Sequence, residues 1–148
     1  MTNKQKGPKS LVKVDTSKTP KSQFRDDWQE MYPCWRVSLL ETVEPFGWHT
    51  SEQGELLQVK QRFASFESMT WKQILCQAGY RNHFVSRDRL CADAQKRLRE
   101  MGQDDVDSVI SLGITQKSRV FGIMEHNVLK VLWWDPEHLV YPVEKPNT

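Results

Sequence analysis

The sequence predicts an α+β domain in which helices pack on a small antiparallel sheet, and three observations predict it. Apolar residues recur at helical spacing between residues 55 and 101. Short runs rich in Val, Ile, Leu, Phe and Trp, separated by small polar clusters, fill residues 109–141 and read as consecutive strands. The composition, 38% hydrophobic and 27% charged over 148 residues, suits a single core-bearing domain.

Residues 1–23 form a segment of another kind, dominated by Lys, Ser, Thr, Pro and Gly, with Leu11, Val12 and Val14 as its apolar residues. Such a stretch buries too little surface to offset its ordering entropy and is expected to be a disordered basic arm. It holds six lysines against Asp15, a net +5, which leaves 15 basic and 18 acidic side chains, a net −3, on residues 24–148. Any contact of the body with nucleic acid must therefore use a local patch or the arm. No apolar run reaches the length of a membrane span and no secretory signal opens the chain, so a cytoplasmic protein with no membrane partner is expected. Cys34, Cys76 and Cys91 are odd in number and widely spaced, which argues against a disulfide framework or a cysteine zinc cage and predicts reduced, mostly packed thiols.

Between Phe24 and Trp48, six aromatics and two prolines predict irregular wrapping on a core, with a strand over 35–43. A first helix over 55–66 presents Leu56, Val59, Phe63 and Phe66 as its apolar stripe. A second, short helix is capped by Ser68 or Thr70, holds Trp71, Ile74 and Leu75, and stops near Gly79. A third, over 88–101, turns Leu90, Ala94, Leu98 and Met101 inward and stops at Gly102, with residues 80–87 as linker. Strands follow at 109–115, 119–125 and 128–134, with a small extra one near 139–141 and a hairpin at Glu125–Asn127 in which Asn127 tolerates positive φ. Simple alternation places Val128, Lys130, Leu132 and Trp134 on one face of the last long strand, and Leu129, Val131 and Trp133 on the other.

Two groups of residues carry possible chemistry. Arg81, His83, Arg87, Arg89, Lys96, Arg97 and Arg99 form the most basic stretch of the body and are candidates for nucleic-acid contact, although a merely solvated helix face explains such charges as well. The second group is Lys117, Arg119, Glu137, His138 and Tyr141, at the strand ends of the C-terminal third. The bland readings are that Arg119 pairs with Glu125 or Asp107, and that Asp135-Pro-Glu-His138 is an ordinary turn with Asp first and Pro second.

The helical pair followed by a meander, with Ser111-Leu-Gly-Ile-Thr115, Lys117-Ser-Arg-Val120 and a strand closing on His138, resembles the RelE and YoeB-like toxins of bacterial toxin–antitoxin systems. The resemblance covers roughly the final third of the chain. It implies a RelE/ParE-like fold and an endoribonuclease that cuts mRNA, commonly on the ribosome, and is silenced by an antitoxin. It further implies that Arg119 steadies the scissile phosphate and Lys117 supports it. His138, with Glu137 tuning or replacing it, would transfer protons, and Tyr141 would be the nearby aromatic. Cleavage by the 2′-hydroxyl of the RNA needs a base, an acid and cations, and no metal or cofactor. The alternative is a non-catalytic nucleic-acid- or protein-binding module on a related scaffold, such as a phage or plasmid accessory protein.

Overall fold

A computed structural model describes residues 27–79 and 82–142, and the expected arm, residues 1–23, lies outside them. Helix α1, Gln53–Phe66, starts at a reciprocal cap in which Glu52 and Glu55 each accept the other's backbone N–H. Its buried side chains are Val59 and Phe66, whereas Leu56 from the expected stripe is exposed at the helix start. Helix α2, Trp71–Leu75, is capped by Thr70, whose hydroxyl accepts the Gln73 N–H, and it buries Trp71 and Ile74. Helix α3 is shorter than its periodicity suggested, Ala92–Glu100, because Arg87–Arg89 form a separate 3-10 turn. Gly102, at φ 71°, follows its end.

The sheet contains five strands: β1 Cys34–Arg36, β2 His83–Ser86, β3 Ser108–Gly113, β4 Arg119–Glu125 and β5 Val128–Asp135. Their order is β1-β5-β4-β3-β2. The expected meander is β3-β4-β5, but the sheet is mixed rather than antiparallel, since β1 runs parallel to β5. Two strand expectations are corrected. The strand over 35–43 is confined to β1, because beyond it the chain turns and Glu41 N–H reaches Leu132 O at 3.0 Å. No strand forms at 139–141, where the Leu139 and Val140 N–H groups are taken by Asp135. Conversely, the presumed linker supplies β2.

Helices cover both faces. On one, α1 and α2 pack Val59, Phe66, Trp71 and Ile74 against Ile110, Leu112, Val120, Leu129, Val131 and Trp134. On the other, Ala94 and Leu98 of α3 meet Val85, Val109, Phe121, Ile123, Leu132 and Trp133. Leu132 and Trp133 share this face because Phe121 pairs with Trp133 while Gly122 pairs with Val131, so Leu132 is the extra residue of a bulge. Strict alternation therefore holds as far as Leu132 and misplaces Trp133 and Trp134, which exchange faces. The bulge also explains Gly122, where a Cβ would stand 2.6 Å from Lys130 O. Glu41 ties the 37–50 segment to α3 and β5: it is 8% exposed and accepts from Trp133 Nε1 at 3.0 Å and from Arg97 Nε at 2.9 Å. The thiols differ from expectation: Cys34 and Cys76 are exposed and Cys91 is half-buried. Among the described residues no helix is long and apolar enough to cross a membrane.

Candidate functional site

One end of the sheet gathers most of the chemistry. There β3 stops at Gly113, β4 starts at Arg119, β5 stops at Asp135 and β2 starts at His83, which pairs with Ser111. The loop joining β3 to β4 is organised by Thr115, whose hydroxyl accepts the Ser118 N–H at 3.0 Å and the Lys117 N–H at 3.3 Å. Ile114 N–H closes the loop on Ser118 O at 3.0 Å. The expected phosphate clamp, Arg119, is 7% exposed, and its Nη1 donates to the Thr115 and Ser118 carbonyls at 2.9 Å each. Its guanidinium thus braces the loop from beneath. Glu125, one of its possible partners, sits at the far end of β4 and pairs with Lys130 at 2.9 Å.

Asp135 faces Arg119 in the β4–β5 register and is 2% exposed. Its two carboxylate oxygens accept the Leu139 N–H at 2.9 Å and the Val140 N–H at 2.8 Å. Burial pushes its pKa above the ordinary 3.8, against the opposing pull of these donors and of nearby His138. Within the turn that follows, His138 takes a left-handed φ of 63°. Glu137 reaches Lys117 of the neighbouring loop at 2.6 Å, both side chains being exposed. The chain then crosses the sheet end toward β2, where Val140 O accepts the Cys91 N–H and the Tyr141 ring lies 6.0 Å from that of His83 and 5.9 Å from the Arg89 guanidinium.

Lys117, Arg119, Glu137 and His138 are therefore brought to one end of the sheet, and Tyr141 links that end to His83 and Arg89. The rest of the basic stretch does not form one cationic face. Arg97 is held by Glu41 and Glu100, which raise its pKa further, and Lys96 approaches Glu100 at 3.9 Å. Arg87 donates to the Asp104 and Val106 carbonyls. Arg99 is exposed beside Asp88 and Asp104, and Arg81 lies outside the described residues. A metal centre uniting Asp135 and His138 with His126 is precluded by distance along the ladder, since His126 occupies the turn at the opposite end. Among the described residues no group of three or more His, Cys, Asp or Glu side chains is placed to hold a metal ion.

Sequence reasoning missed a second polar cluster at the same end. Asn82, 4% exposed, accepts the Gly113 N–H at 2.9 Å and donates to Ile74 O, while Arg62 donates to Gly113 O and Gln77. These bonds tie α1 and the exit of α2 to the tip of β3. No spacing in the sequence marks them, because the partners are distant in the chain. Beside them a cleft of about 440 Å³ opens between α1 and the β3–β4 loop, lined by Gln58, Gln61, Arg62, Ser65, Thr115 and Gln116. No family model, curated protein or solved structure matches the chain.

Proposed function

We propose that the protein is an endoribonuclease of the RelE and YoeB kind, acting on mRNA at this end of the sheet and open to inhibition by an antitoxin-type protein. The observation that carries the reading is the meeting of two turns: the loop bearing Lys117 and the turn bearing Glu137 and His138 touch through an ion pair of 2.6 Å. In this reading His138 transfers the proton of the 2′-hydroxyl or of the leaving 5′-oxygen. Lys117 exchanges Glu137 for the phosphate and offsets the charge developing there. Arg119 acts through the loop it braces, as a positioning residue rather than a direct clamp. Tyr141, with His83 and Arg89, borders the path of the flanking nucleotide.

A second reading, RNA binding without cleavage, is favoured by the burial of Arg119 beneath its carbonyl partners. Incubation of the purified full chain with single-stranded RNA separates the two. Cleavage to 2′,3′-cyclic phosphate ends, reduced about 100-fold or more by His138→Ala, supports the nuclease. Salt-sensitive binding with intact RNA supports the second reading. Absence of both binding and cleavage, with normal growth on induced expression, rejects the two together.

A further inference from the structure

We infer that Asp135 is the positioning residue for His138: its buried carboxylate gathers the two backbone N–H groups that directly follow His138 and so fixes the turn that carries the imidazole. The inference rests on the proposed function only in giving His138 a catalytic task.

The N–H groups of Leu139 and Val140 converge on this one carboxylate. Such a concave run of amides is an anion-binding nest, and it requires a residue in the left-handed region, here His138 at φ 63°. Glycine fills that conformation without strain, whereas a histidine there carries a penalty. A strained histidine beside a buried anion is an outlier of the kind that marks function. Asp135 is itself fixed, being the last residue of β5 and paired in register with Arg119, so the turn is referenced to the rigid part of the sheet. The turn's reach to Lys117 through Glu137 depends on the same fixture. Ordinary turn chemistry explains one bond from an Asp to an N–H two or three residues on. It does not explain a 2% exposed carboxylate that takes one N–H on each oxygen, from residues four and five positions on.

The test is Asp135→Asn, which keeps the shape and one acceptor but removes the charge and the second. In the wild-type chain the His138 imidazole should give a single sharp proton resonance displaced from that of a peptide histidine, with slow exchange of the Leu139 and Val140 amides. In the variant that resonance should collapse toward the peptide value and the two amides exchange faster, while β4 and β5 amides stay protected. RNA cleavage should show kcat lower by roughly 10- to 100-fold with KM little changed, as expected of a misplaced group. In combination with His138→Ala, Asp135→Asn should lower cleavage no further. An unshifted His138 resonance in a folded variant, or additive losses, overturns the inference. Should Asp135→Asn fail to fold, a peptide-like His138 resonance in the wild type overturns it, and a displaced one with protected amides sustains it. Because the resonances are read without RNA, a chain that cleaves nothing refutes the nuclease while leaving the placement of His138 decided.

Discussion

The two ends of the β4–β5 ladder make a natural contrast, since each carries a histidine in the left-handed region, His126 at φ 62° and His138 at φ 63°. At the first end the turn is a tight hairpin anchored by neutral groups. Asn127 O accepts from Cys34 N and Trp71 Nε1, the Asn127 side chain donates to Tyr32 O, and the exposed Glu125 pairs with the half-buried Lys130. At the second end a carboxylate is withdrawn from water and surrounded by amides. Hairpin geometry accounts for the first arrangement with nothing left over. The second maintains a desolvated charge that turning the chain does not require, and the difference points to the Asp135 end as the place where this molecule does something.

The largest effect should separate the ends by stability. Asp135→Ala leaves buried amides unpaired and should lower stability by about 3 kcal/mol, against about 1 kcal/mol for Asn127→Ala. Equal losses in denaturant unfolding would erase the contrast. A smaller effect concerns backbone strain: His138→Gly and His126→Gly should each raise stability by about 1 kcal/mol. RNA cleavage, in contrast, should be lost only in the first. If both glycine variants retain full activity, the second end holds no catalytic histidine.

The subtlest effect is one of sign in the pH dependence. Burial raises the Asp135 pKa above 3.8, so between 3.8 and the raised value the native state alone holds the proton. Stability from this group therefore falls as pH rises through that window, and Asp135→Asn should remove the fall. Lys130 lowers the Glu125 pKa below 4.5. Its contribution is present above 4.5 and lost as pH falls through the lowered value, so Glu125→Gln should flatten stability on the acid side instead. Unfolding midpoints of both variants across the acid range check the opposition, and slopes of the same sign would contradict it.

How much of this was legible in the sequence follows from distance along the chain. The helices and the β3-β4-β5 meander were readable because periodicity and turn residues are local signals. The strand His83–Ser86 was not, since four residues with an exposed Phe84 show no decisive alternation. A strand beginning near Trp35 was readable, but its short extent and its parallel pairing with β5 were not, since that pairing joins segments far apart in the chain. The bulge at Leu132 shifted a correct alternation by one residue. The positive φ expected at Asn127 fell instead on His126, because the Asn127 carbonyl and side chain are engaged by neighbouring segments. At the site, the strand-end placement of Arg119 and His138 was readable. That Arg119 faces inward and that Asp135 gathers amides were not, because each depends on which carbonyls and N–H groups the loops present. Asp135 directly before Pro136 is a local signal, but by itself it marks only the first position of a turn.

The parallel pairing of Cys34–Arg36 with the strand that ends at Asp135 bears on how the molecule is made. A nascent chain emerging from the ribosome cannot complete its sheet until residue 135 has been synthesised. Until then Trp35 and its neighbours wait without the surface they pack on, exposed to chaperones and proteases. Whatever activity resides at the far corner of the sheet is thereby deferred until the strand that ends at Asp135 has emerged, a delay written into the strand order itself.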